Sequence, residues 1–187
     1  MNSNTREMIL AAARRTAQAH GYAGLNFREL ADEVGIKAAS IHYYFPSKAD
    51  LGAAVAKRYW EDTAAYLDNL STQNPDPLIC LHRYPEMFRR SLESGNRICL
   101  CSFMAAEHDD LPQVVKKEIQ IFADVNVAWL SNVLSAVGAT DPEDCERRAS
   151  AIFAAIAGAQ LMARSRSDIS LFDSLIDSYR AAGFLPG

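Results

Sequence analysis

Residues 26–51 read NFRELADEVGIKAASIHYYFPSKADL, and the punctuation of this stretch decides the fold. Asn26 is the residue type that accepts hydrogen bonds from the first free amides of a helix, so it caps a short helix over Arg28–Val34. Gly35 is free to take the left-handed backbone that a sharp turn needs. Ala38–Tyr43 forms a second short helix, closed by Phe45-Pro46, and Ser47 caps a long third one from Lys48 to about Leu70. Asp50 lies near the positive end of that helix, where a carboxylate is favoured. Leu30, Ala31, Val34, Ile36 and Ile41 point inward and hold the two short helices at a fixed angle. The pattern is a helix-turn-helix over residues 26–45.

The second short helix turns its other side out, presenting Lys37, Ala38, Ser40, His42, Tyr43 and Tyr44. Ala38 and Ala39 are small, which lets the backbone sit close to a groove wall or a thymine methyl. Neighbours on a helix diverge by about 100°, so Tyr43 and Tyr44 cannot both be buried in one face, whereas Phe45 is assigned to the core. His20 and His42 read as packing or hydrogen-bonding residues rather than switches.

Outward from this stretch almost everything reads as helix. Strand-like alternation is missing, and Ala, Leu, Glu, Arg and Gln fill the periodic segments. A first helix starts near Asn4-Thr5, with Asn4 as cap and Glu7 completing a box-like pair. It buries Ile9, Ala12, Ala13, Thr16, Ala17 and His20, and Gly21 ends it. Ser71–Pro77, polar and with two prolines, is the clearest break. Beyond it the spacing predicts helices near 77–94, 99–107, 112–137, 142–165 and 170–183, the last three separated by Gly138–Pro142 and Ser165–Ser170. The fold class is therefore all-α. An N-terminal head over residues 4–64 is joined through its long fourth helix to a helical body over residues 65–187.

The composition is that of a globular protein: 187 residues, 49% apolar, 22% charged, net charge −4. Residues 1–60 carry eight basic against five acidic side chains, whereas the other 127 carry eleven against eighteen. A basic head on an acidic body points to a polyanion at the head. No segment reaches the roughly 20 apolar residues that span a bilayer, and Met8–Ala13 runs into Arg14-Arg15 rather than a signal-peptide cleavage site. Cys80, Cys99, Cys101 and Cys145 contain no C-x-x-C pair and do not make a disulfide scaffold in a chain of this length. The expected setting is reduced, cytoplasmic and without membrane contact. Cys80-x-His82 and Glu107–Asp110 lack the spacing of a zinc site, so no metal is expected. No nucleophile elbow, P-loop, dinucleotide fingerprint or H-E-x-x-H occurs. That reads as no enzyme, no catalytic residues and no cofactor.

The stretch Gly21–Ala31, then Val34-Gly35-Ile36, then Ser40–Leu51 with its Tyr43-Tyr44-Phe45-Pro46-Ser47-Lys48 ending, resembles the TetR family of one-component transcriptional regulators. The resemblance covers roughly the first third of the chain. It implies that Ala38–Tyr44 is a recognition helix in the major groove of double-stranded DNA. It also implies that Asn26 both caps its helix and binds a phosphate, that Tyr44 touches the DNA backbone, and that Arg28 and Lys48 are phosphate-facing cations. Lys37 stands where the family has a small cap, adding a cation at the DNA surface, and His42 stands where a Tyr is usual. The DNA-contacting set is Asn26, Arg28, Lys37, Ala38, Ala39, Ser40, His42, Tyr43, Tyr44 and Lys48.

One short helix reads too few bases to find an operator, so a homodimer on a palindrome, with heads about 34–36 Å apart, is expected. Residues 147–163 read RRASAIFAAIAGAQLMA, whose small residues permit close helix approach. The interface is expected at Ala151, Ala155, Gly158, Ala159 and Met162, with Leu175 of the last helix, as the resemblance implies for the last two long helices. The middle helices carry Tyr84, Phe88, Cys99, Phe103, Met104, Phe122 and Trp129, large and adaptable side chains where the family places its inducer pocket. The function this implies is a ligand-responsive repressor, released from DNA by a small-molecule inducer. Two alternatives stand beside it: a repressor switched by oxidation or electrophile modification of Cys99 and Cys101, and an all-helical small-molecule carrier.

Overall fold

The computed structural model describes residues 3–138 and 141–186, and the expected loop residues Ala139 and Thr140 lie outside them. Among the described residues, ten α-helices and one short 3₁₀ turn account for the regular structure, and no strand occurs. They are α1 (Ser3–His20), α2 (Phe27–Val34), α3 (Ala38–Tyr44), α4 (Lys48–Gln73), α5 (Pro77–Arg83), α6 (Glu86–Glu93), α7 (Leu100–Ala105), α8 (Gln113–Val137), α9 (Pro142–Arg166) and α10 (Ile169–Ala181), with the 3₁₀ turn at His108–Asp110. None is long and apolar enough to cross a membrane among the described residues.

The chain divides into two compact units, Met1–Asp62 with Leu100–Phe122, and Thr63–Cys99 with Ala123–Gly187. In the first, α1 buries Ile9, Ala12, Ala13 and Ala17 at helical spacing, α2 and α7 pack on it, and α3 packs on α2. Leu30, Ala31, Ile41 and Phe45 complete this core from the helix-turn-helix. Two details differ from the sequence reading of α1. The helix already includes Ser3, so Asn4 lies inside its first turn, and Glu7 bonds to Arg58 at 2.7 Å instead of capping. His20 is exposed because the last turn of α1 rotates it away from the core.

In the second unit α10 packs on α9, and α6 packs on both. The expected single helix over 77–94 is two helices, because Pro85 has no amide to donate and breaks the ladder between Arg83 and Glu86. In the other direction α4 runs on to Gln73. Thr72 donates to the carbonyl of Asp68, and Asn74 donates to that of Leu70, which carries the helix into the polar stretch.

Asp168 starts α10. Its carboxylate accepts from the hydroxyl of Ser170 at 2.6 Å and from the amides of Ser170 and Leu171. The Ser170 hydroxyl, then those amides, hold the Asp168 pKa below the ordinary carboxylate value. A depressed pKa in the folded state stabilises the fold above the unfolded-state value and stops doing so as pH falls through the folded one. Asp168→Ala is therefore expected to lower the melting temperature by about 2–4 °C at neutral pH. The deficit should vanish in acid, and a deficit that persists unchanged below the carboxylate range would contradict this role.

Candidate nucleic-acid interface

The helix-turn-helix is built from local signals. The Asn26 side-chain oxygen accepts from the amides of Arg28 at 2.9 Å and Glu29 at 3.4 Å, which leaves its NH₂ group directed to solvent. Gly35 takes φ +75°, and the amide of Ile36 closes the turn on the carbonyl of Ala31 at 2.9 Å. Lys37 begins α3 with an extended backbone and no side-chain capping bond, so its ammonium is not committed to the helix. Ser47 and Asp50 cap α4 reciprocally: both the amide and hydroxyl of Ser47 donate to the Asp50 carboxylate, and the Asp50 amide donates back to the Ser47 hydroxyl.

Of the residues assigned to DNA from the sequence, Asn26, Arg28, Lys37, Ala39, His42 and Tyr43 are exposed, and Ala38, Ser40, Tyr44 and Lys48 are half-buried. Tyr43 stands out at 69% exposure and meets Tyr44 edge to face at 5.2 Å. An open groove of about 690 Å³ runs along α3, lined by Lys37, Ala39, Ser40, Tyr43 and Tyr44 and closed on one side by Thr5 of α1. Thr5 carries no signal in the sequence, because only the folded head brings α1 beside α3. His42 lays its ring on Phe27 of α2 at 4.6 Å, which gives the departure from the usual Tyr a packing role.

The charges sort in an informative way. Arg14, Arg15 and Arg58 are each paired, with Asp62, Glu33 and Glu7 at 2.7–2.8 Å. Arg28 and Lys37 pair with no carboxylate among the described residues. Lys48 donates to the carbonyl of Ala23 at 2.9 Å and sits over the ring of Tyr22 at 4.9 Å, so it is tethered to the turn after α1 while two of its N–H bonds remain. Arg28, Lys37 and Lys48 thus stand around α3 without a carboxylate, where a polyanion would supply a partner, although Lys116 and Lys117 of α8 also pair with none among the described residues.

The residues expected around a ligand fall into two places. Tyr84, Phe88 and Trp129 form one buried aromatic cluster, with Tyr84 stacked on Trp129 at 5.5 Å and edge-on to Phe88 at 5.6 Å. Cys99 lies in the same unit, whereas Phe103, Met104 and Phe122 belong to the first unit, where Phe122 packs on Tyr59. The Tyr84 hydroxyl donates to Asn126 at 2.8 Å, and burial, then the nearby Cys99 thiol, push its pKa well up, so it stays neutral. All four cysteines are buried. Of the residues expected at a dimer surface, Ala151, Gly158 and Met162 are exposed, and Ala155 and Leu175 are half-buried. Ala159 is a correction: it is buried inside its own chain with Ile152, Ile156 and Ala163, on the opposite side of α9. Leu161, overlooked in that set, is exposed at 58%.

Known proteins agree with this geometry. Residues 9–55 match the sequence model of the bacterial regulatory proteins of the tetR family. The chain is 32% identical to a TetR transcriptional regulator from Legionella pneumophila, with 94% of this chain and 95% of that one covered and a TM-score of 0.87. A TetR-family transcriptional regulator from Agrobacterium tumefaciens is 28% identical over 92% of this chain and 93% of its own, with a TM-score of 0.85. A helix-turn-helix-type transcriptional regulator of Lactococcus lactis subsp. lactis is 24% identical over 181 residues, covering 93% of this chain and 90% of its own. With the helix-turn-helix in place and the likeness running over nearly the whole length, the chain belongs to the TetR family, whose members are DNA-binding transcriptional regulators and not enzymes.

Proposed function

We propose that this protein is a repressor that binds a palindromic operator as a homodimer and leaves it when a small-molecule inducer binds. Residues 4–64 read DNA, and residues 65–187 serve dimerisation and ligand response. The observation that carries the reading is the α3 face, where exposed Tyr43 and the small Ala39 lie between cations with no carboxylate partner. Asn26, Arg28, Lys37 and Lys48 take phosphates, which supplies salt-sensitive affinity. Ala38, Ala39, Ser40 and Tyr43 face base edges, which supplies the choice of sequence, and Tyr44 braces the backbone contact. In the body, the ligand would enter beside the aromatic cluster of Tyr84, Phe88 and Trp129, which is apolar and carries the Tyr84–Asn126 pair as its polar group.

The test separates the two kinds of contact. Lys37→Ala and Arg28→Ala are each expected to weaken duplex binding and to lower the slope of log affinity against log salt by about one. Tyr43→Ala should weaken binding to the preferred sequence and leave the slope as it is. Fluorescence anisotropy across a salt series reads both quantities, and slopes unaltered in both cation variants would remove the phosphate assignments.

A further inference from the structure

We infer that Glu107 is a positioning residue for DNA binding: its carboxylate holds the turn between α1 and α2, and through it the helix-turn-helix, in the geometry that reads the duplex. The inference rests on the reading of α3 as the DNA-facing helix. The chain leaves α1 at Gly21, which takes φ +69°, and passes through Tyr22–Leu25 to the Asn26 cap of α2. The amides of Tyr22 and Ala23 find no carbonyl in this turn. Both donate to Glu107 instead, Tyr22 to Oε2 at 2.6 Å and Ala23 to Oε1 at 3.0 Å. A charged acceptor shared by two backbone donors is among the stronger arrangements a protein can make.

The same turn is held from the other side by Lys48, which donates to the carbonyl of Ala23 and lies over the ring of Tyr22. Space there is fully used. A Cβ on Gly21 would lie 2.3 Å from the Glu107 carboxylate, and one on Gly52 would lie 2.7 Å from the Tyr22 ring and 3.2 Å from Val115. Glu107 stands 85 residues from Tyr22 in sequence, just before the 3₁₀ turn that leads to α8. A segment far along the chain thus sets the entry of α2, three residues upstream of Asn26.

The sign of the effect separates this role from plain electrostatics. Removing a carboxylate near a DNA-binding surface relieves repulsion and should tighten binding. A positioning role requires the opposite. Glu107→Asp keeps the charge but is one methylene too short to reach both amides, and Glu107→Gln keeps the reach with a single neutral acceptor oxygen.

The experiment uses the full-length chain and a duplex recovered with the wild-type protein from a random-sequence pool. E107D and E107A are expected to lose about tenfold in affinity, E107Q less, all with the wild-type salt slope. Amide hydrogen exchange should quicken at Tyr22 and Ala23 in each variant. Where E107A does not fold, E107D and E107Q decide. Unchanged or tighter binding by E107D overturns the inference, as does unchanged exchange at Tyr22 and Ala23. A lower melting temperature with wild-type affinity marks a role in stability alone and overturns it too. If the wild-type protein binds no duplex, the DNA reading fails, while the exchange measurement still tells whether Glu107 holds the turn.

Discussion

The double variant Leu161→Arg, Met162→Arg is expected to be a monomer and to bind its duplex at least about a hundredfold more weakly than the wild type. Leu161 and Met162 are 58% and 48% exposed on α9, next to the exposed Ala154 and Gly158. Burying a large aliphatic side chain is worth about 1.5–3 kcal/mol, and a two-fold axis counts each contact twice. Arginines placed there meet their own copies, so the contact changes from apolar burial to like-charge repulsion. The loss in DNA affinity follows from linkage: a second head acting on the same molecule gains about 10²–10⁴ in avidity, and a monomer forfeits it. Two added positive charges would favour DNA if dimerisation were irrelevant, so the predicted sign discriminates. Light scattering and anisotropy on one sample measure both, and a variant that remains dimeric would move the interface off this row.

The second large effect concerns stability. Gln160→Leu is expected to cost about 1–3 kcal/mol, since the buried amide of Cys99 loses its acceptor while the Phe88 carbonyl keeps its intrahelical donor. Gln160 is 1% exposed. Its Oε1 accepts from the amide of Cys99 at 3.0 Å, and its Nε2 donates to the carbonyl of Phe88 at 2.7 Å. The side chain thus ties the first turn of α6 and the residue before α7 to α9. Leucine fills the volume but makes neither bond. Glutamate keeps the acceptor and loses the donor while burying a charge, so Gln160→Glu should be at least as damaging. Urea denaturation followed by circular dichroism measures the difference, and a loss under about 1 kcal/mol would mean that water or a neighbour satisfies the Cys99 amide.

What could be read from the sequence was local. Asn26, Gly35 and the Ser47–Asp50 pair each act on backbone within three residues, so the helix-turn-helix was legible before any tertiary contact was known. Gln160 and Asn126 were not, because their partners lie 61 and 72 residues away in one case and 42 in the other. An isolated polar residue in an apolar helix does not announce its bond. Glu107 was hidden in the same way, inside an acidic run whose spacing only argued against a zinc site. In α9 the failure has another cause. Its sequence is small and apolar on nearly every side, so periodicity could not tell the row holding Ala159, which faces its own core, from the row holding Leu161 and Met162. Pro85 was a plain signal, and its missing amide outweighs the helical spacing on either side.

The central claim is that two copies of α3 read a sequence with two-fold symmetry. Selection by the wild-type protein from a pool of random duplexes, at low ionic strength, tests it most directly. The expected result is enrichment of a sequence with two inverted half-sites whose centres lie about one helical turn, or a whole number of turns, apart. Recovery of a single unsymmetrical site, or no enrichment at all, would contradict the account.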